Sequence, residues 1–275
     1  VVPLIHRPLG QELVAPIEGL VAFVDGDAFG DPSFPLNTCG VDNCPQDYNP
    51  HQVDVDGDSE PARVLHVHRG RVEVAHEAGH ELLQLSAKAR EMGITVGDWV
   101  LVDRTGPQVV SRLDRFGLFQ RRAAGTAGEI QLIAANVDTL FIVTSANRDF
   151  NAARLERYLA IAHDAGAFPV IVITKADIAD STDEFVAAAS GLGPGILVEC
   201  LDARSAEDVE VLRPWCETGQ TVALLGSSGV GKSTLTNALL RHEVIATQGI
   251  REDDAHGRHT TTHREIHLLP GGGLV

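Results

Sequence analysis

Gly226-Ser227-Ser228-Gly229-Val230-Gly231-Lys232-Ser233 fits the pattern G-x-x-x-x-G-K-[ST], a spacing suited to holding phosphate. Its glycines let successive backbone N–H groups converge on an anion without Cβ clashes, and the helix that follows adds the partial positive charge of its N-terminus. Lys232 is placed to reach the β- and γ-phosphates of a nucleotide, the Ser233 hydroxyl to ligate Mg2+, and Thr234 to extend the nucleotide-contacting set. A plain Gly/Ser-rich connector is the alternative, and the complete pattern between a strand and a helix argues against it.

A second chemistry sits earlier in the chain. Thr174-Lys175-Ala176-Asp177 ends an apolar strand candidate at 168–174, and at the carboxyl end of a parallel strand such residues face a ligand crevice. A carboxylate there accepts from both N1–H and the 2-amino group of guanine, whereas adenine offers no such pair of donors. The aliphatic stem of Lys175 can cover the base. T-K-x-D recurs by chance, but beside a phosphate loop it selects guanine. Asp202-Ala203 falls where a guanine-nucleotide domain places Ser-Ala against the guanine O6; Ala203 fits and Asp202 does not. Residues 249–262, GIREDDAHGRHTTT, read either as ordinary strand entry or as a switch in which Thr261 ligates Mg2+ only while a γ-phosphate is present. In that stretch His259 is the candidate for orienting an attacking water, the other reading being a solvated loop histidine. Lys232 and His259 are therefore the candidate catalytic residues.

The elements that must position these groups follow from apolar runs. Residues 221–225 read as a buried strand and 233–240 as a helix with Leu235, Leu239 and Leu240 on one side. Residues 136–144 and 168–174 give two further strands around a helix at 151–165. Residues 196–200 give another strand, and a helix ends near 216. Strands alternating with helices predict a doubly wound, mainly parallel α/β sheet. Upstream, Val64, Val67, Val72 and Val74 flank an Arg-Gly-Arg turn, and more short strands follow near 96–103 and 107–113. A short helix at 87–92 is the only one there. This pattern predicts a small OB-type β-barrel, either an RNA-binding module or a structural appendage.

Charge is uneven along the chain. The net charge is −16, yet eleven acids and the single base Arg7 lie in residues 1–60, a local charge of −10. That asymmetry marks a separate acidic segment. Arg63, Arg69 and Arg71, and then Arg112, Arg115, Arg121 and Arg122, form two basic clusters that either contact phosphates or are solvated strand ends. With 44% hydrophobic but only 5% aromatic residues, the cores must be aliphatic. The sequence has no apolar run of membrane-spanning length and no signal-peptide pattern, so no membrane partner is expected. Cys200 and Cys216 read as buried thiols.

The acidic segment is rich in Asp, Pro, Gly and Asn. Asp54, Asp56 and Asp58 alternate, a spacing that converges oxygens on a hard cation such as Ca2+. The run VDNCPQDYNPHQVDVDGD resembles a thrombospondin type 3 calcium repeat, but the pattern breaks at Ser59-Glu60-Pro61. A linker-like, irregular segment is the preferred reading over a Ca2+ site. The compartments also conflict, since calcium repeats with disulfides are extracellular whereas phosphate-loop GTPases are intracellular.

The order of the motifs is informative. In ordinary GTPases the phosphate loop precedes the guanine-reading motif; here residues 174–177 come first, so the chain reads as circularly permuted. With ANVDTLFIVTSANRDFNAARLERYLAIAHDAGAFPVIVITKADI, then GSSGVGKSTLTNALL, then GRHTTT, residues 61–275 resemble the ribosome small subunit-dependent GTPase A family. Charge sets apart the acidic segment (1–60), and the resemblance divides the rest into an OB barrel (61–118) and a circularly permuted GTPase domain (119–275). It implies GTP/GDP and Mg2+ as ligands and hydrolysis of GTP to GDP and phosphate. It also implies a cytoplasmic monomer that acts in maturation of the 30S ribosomal subunit and touches 16S rRNA through the OB domain. The family's D-T-P-G segment and C-terminal zinc domain lie beyond Val275, and none of the four cysteines stands in for the zinc ligands. Poor discrimination of GDP from GTP is expected of this stretch alone. The alternatives are a nucleotide-gated binding module without hydrolysis and an extracellular calcium-binding protein.

Overall fold

The computed structural model describes residues 11–17, 20–25, 59–76, 79–106, 108–122, 130–242 and 266–275. The chain divides into two compact units, Val1–Arg115 and Phe116–Val275.

In the first unit, β1 (Gln11–Ile17) and β2 (Leu20–Asp25) pair antiparallel, Gln11 opposite Asp25. The sequence reading made residues 1–60 irregular. LVAPI and LVAFV, each with an apolar run and separated by a short polar connection, have instead enough β-forming residues to make a hairpin. Asp54, Asp56 and Asp58 lie outside the described residues.

Five strands then close a barrel in the order β3-β4-β5-β7-β6: β3 (Ser59–His68), β4 (Arg71–His76), β5 (Gly79–Leu85), β6 (Trp99–Asp103) and β7 (Gln108–Arg112). β3 pairs antiparallel with β4 and β6, β5 pairs parallel with β7, and α1 (Ala87–Glu91) links β5 to β6. This is the OB arrangement expected from the alternating valines. Val64, Val72, Val74, Leu83, Val100, Val102 and Val109 fill the interior, one residue in two along each strand, as the strand period requires. Ser86 caps α1 by accepting from the Ala89 amide at 3.1 Å.

The barrel also contains a buried ion pair. Arg115 Nε donates to Asp98 Oδ1 at 2.6 Å and Arg115 Nη2 to Asp98 Oδ2 at 2.7 Å, while the Thr95 amide donates to the same carboxylate. Asp98 is fully buried. Arg115 therefore serves the barrel. Arg63, buried over the Trp99 ring at 5.2 Å, is likewise withdrawn from the surface, which removes both from the basic clusters.

The second unit begins with a hairpin of β8 (Leu118–Arg122) and β9 (Ile130–Ala135). A four-stranded parallel sheet follows, ordered β12-β11-β10-β13, from β10 (Thr139–Ser145), β11 (Phe168–Thr174), β12 (Leu197–Cys200) and β13 (Val222–Leu225). The helices are α2 (Ala152–Asp164), α3 (Asp183–Ser190), α4 (Ala206–Val209), which runs into a 3-10 turn at Glu210–Trp215, and α5 (Lys232–Leu240). β10 is buried along its whole length, and its side chains serve two cores alternately. Leu140 and Ile142 pack with Leu155, Leu159 and Ala162 of α2, whereas Phe141 and Val143 pack with Leu212, Trp215, Leu235 and Leu239. Two apolar layers thus sandwich the sheet, as its unbroken apolar strands demand.

Among the described residues after the phosphate-loop helix, Leu268 forms a single antiparallel bridge to Leu274, and Leu274 a parallel bridge to Thr221 just before β13.

Candidate functional site

Strands β10, β11 and β12 advance in one direction across the sheet, and the chain then returns to place β13 on the other side of β10. At such a switch point the loops at the carboxyl ends of the strands leave a crevice for a ligand. The glycine-rich loop leaves β13 there.

Two glycines in that loop are required by geometry. A Cβ on Gly226 would sit 2.2 Å from the Val143 carbonyl oxygen, so only glycine lets the loop cross β10. Gly231, at φ +96°, precedes the first residue of α5 in a conformation that side chains rarely adopt. Val230 is buried and anchors the loop to the core, so its contribution to a ligand is confined to its backbone. Ser228 and Gly229 are exposed at the tip, and Ser227, Ser233 and Thr234 are half-buried. Lys232 turns its Nζ onto the Gly226 and Ser227 carbonyl oxygens at 2.9 and 2.6 Å. Burial lowers the pKa of this ammonium, a cost that an anionic ligand would offset.

The guanine-reading candidate is joined directly to this loop. Thr174, at the end of β11, is fully buried, and its Oγ1 lies 2.5 Å from the Val230 carbonyl oxygen and 3.0 Å from that of Thr144. The sequence reading turned Thr174 toward the ligand; its hydroxyl instead clamps the phosphate loop to β10. Lys175 adopts the left-handed conformation at φ 61° and redirects the chain into the turn that carries Ala176 and Asp177. The Ala176 amide reaches Leu201 O at 3.4 Å, and Ala203 is buried nearby in sequence.

Asp202 was the misfit in the pattern, and the structure gives it a task. It accepts from Arg204 Nε at 3.2 Å and from the Arg204 amide at 3.0 Å, and the same guanidinium donates to Asp177. Burial pushes the Asp202 carboxyl up, but the hydrogen bonds and charge of Arg204 outweigh it and hold the acid below its ordinary value. His259 and Thr261 lie outside the described residues.

The RsgA GTPase family model matches residues 112–275, more than half of the chain. The chain belongs to the RsgA GTPase family. It is 51% identical over 214 residues to small ribosomal subunit biogenesis GTPase RsgA 2 of Vibrio parahaemolyticus, covering 78% of this chain and 59% of that protein. It is 49% identical over 218 residues to small ribosomal subunit biogenesis GTPase RsgA of Mesorhizobium japonicum, covering 78% of this chain and 63% of that one. The chain therefore spans about three fifths of the length of these relatives. Among solved structures it is similar in fold to YjeQ from Thermotoga maritima, with TM-score 0.59 and 24% identity over 78% of this chain and 73% of that one. It is also similar to YloQ, a circularly permuted GTPase, with TM-score 0.54 and 20% identity, covering 78% and 69%.

Sequence reasoning missed two arginines of this RsgA GTPase chain. Arg154 extends from α2, and its guanidinium donates to Ser227 Oγ in the phosphate loop. Asn151 caps α2 and accepts from the Arg154 amide at 2.9 Å, which fixes the helix start from which that side chain extends. Arg204 had no reading at all. The signal available for it was the replacement of the expected serine by Asp202, an acid that needs a cationic neighbour.

Proposed function

We propose that the protein to which this chain belongs binds GTP with Mg2+ and hydrolyses it to GDP and phosphate during maturation of the small ribosomal subunit. The observation that carries this reading is the clamp between Thr174 and Val230, which holds the candidate guanine-reading loop and the phosphate loop as one unit in permuted order. In that unit Asp177 accepts from the guanine, Ala203 offers its amide to the base, and the loop amides from Gly226 to Gly231 surround the phosphates. Lys232 leaves its own loop carbonyls and offsets charge on the β–γ bridge, where positioning and electrostatics carry most of phosphoryl transfer. The Ser233 hydroxyl, half-buried in the first turn of α5, would ligate Mg2+, and Thr261 is a second ligand on the grounds of sequence alone. Bound Mg2+ would neutralise phosphate charge. His259 orients the attacking water.

The barrel contacts 16S rRNA. Arg69 and Arg71 are exposed at the β3–β4 turn and support that reading, Arg63 and Arg115 being committed inside. The protein acts as a cytoplasmic monomer.

The test is phosphate release by the complete gene product with and without purified 30S subunits. Stimulation by the subunits and loss of at least about tenfold in GTP affinity on Lys232→Ala are expected, the scale of hydrogen bonds to charged groups. Equal affinity for ADP and GDP, or turnover indifferent to both subunits and Lys232, would overturn the proposal.

A further inference from the structure

We infer that the outer surface of the barrel carries a binding site for a divalent transition metal, formed by His66, His68 and Glu73. One ligand atom from each of these residues lies within 4.8 Å of the other two. The arrangement follows from strand geometry. His66 and His68 are two apart on β3, so they share a face, and Val67 between them packs toward the barrel core. Glu73 is the direct cross-strand partner of His66 on β4. The two imidazole rings have centroids 4.2 Å apart.

Two imidazole nitrogens and one carboxylate oxygen are borderline donors. They suit Zn2+, Co2+, Ni2+ or Cu2+ and not Mg2+ or Ca2+, which prefer oxygen throughout. Tetrahedral coordination at about 2.0–2.1 Å places ligand atoms about 3.4 Å apart. From a limit of 4.8 Å that separation needs only small side-chain rotations on a frame of hydrogen-bonded strands. Three protein ligands leave one position open for water or an exchangeable anion.

Two features set the strength of the site. Arg71 is paired with His68 on the same face, and its charge opposes a bound cation. His68 is exposed while His66 and Glu73 are half-buried, so the metal would enter from solvent without opening the barrel. This site is separate from the nucleotide chemistry and does not rest on the function proposed above.

The experiment is titration of the full chain with Co2+, followed by visible absorption, and equilibrium dialysis against Zn2+ with elemental analysis. The wild type should bind one more equivalent than the His66→Ala/His68→Ala variant, with visible bands of low-symmetry Co2+ that the variant lacks. Glu73→Gln, which keeps shape and removes the charge, should weaken that equivalent at least about tenfold, as metal sites lose at least that much even through supporting residues. His163→Ala, at an exposed position of α2, should match the wild type. If the double variant fails to fold, Glu73→Gln decides. Unchanged stoichiometry and affinity in Glu73→Gln or the double variant would overturn the site.

Discussion

Arg204 holds the carboxylate of Asp177, and Asp202 holds Arg204. The guanidinium contacts one oxygen of Asp177 and leaves the other available, so a guanine can share the carboxylate while Arg204 fixes its orientation. The pair is largely solvent-exposed on the arginine side, so its effect should be small. Arg204→Ala should weaken GDP binding roughly two- to fivefold, and IDP, which lacks the 2-amino group, should be affected less. A fluorescent-nucleotide titration measures both. Tighter GDP binding in the variant would show that Arg204 plugs the base site and does not align it.

Asp98→Asn should be among the most damaging single changes in the barrel. It leaves Arg115 buried beside a neutral amide and weakens the hold on the Thr95 amide. Breaking a buried pair from one side costs about 3–5 kcal/mol. Urea denaturation followed through the Trp99 environment should show an early transition. A loss below about 1 kcal/mol would mean that Arg115 finds solvent.

Cys216 provides a pH test. Burial pushes its thiol from 9.0 up to about 12. The folded state therefore keeps the proton that the unfolded chain loses first. Stability from this group is present below pH 9 and falls as pH rises toward 12, by up to about 1.4 kcal/mol per pH unit. Cys216→Ala should flatten that alkaline decline in thermal melts between pH 9 and 11. A slope identical to the wild type would remove Cys216 as its source.

What was legible in the sequence was whatever short-range pattern dictates. The phosphate loop could be read because Gly226 and Gly231 are required by backbone geometry. The strands of both sheets could be read because Val64, Val72, Leu140 and Ile171 follow strand periodicity or continuous burial. What escaped depended on long side chains crossing between elements. Arg154 reaches Ser227 and Arg204 reaches Asp177, each across more than twenty residues of sequence, and Arg115 looked like surface charge until the barrel placed Asp98 beneath it. Thr174 was misread because a polar residue at a strand end can face a ligand or a neighbouring carbonyl, and spacing does not distinguish the two. The hairpin at Gln11–Asp25 was missed because the surrounding acidic composition outweighed two short apolar runs.

The place of β13 in the sheet sets a schedule for synthesis. β10 pairs with β11 soon after both emerge, but its other edge waits for Val222 to Leu225, about 80 residues later. At about 5–20 residues per second, that edge stays unpaired for on the order of 4–16 s on a translating ribosome. The phosphate loop therefore forms after β10, β11 and β12, so a nascent chain would gain nucleotide affinity only once those three strands are in place.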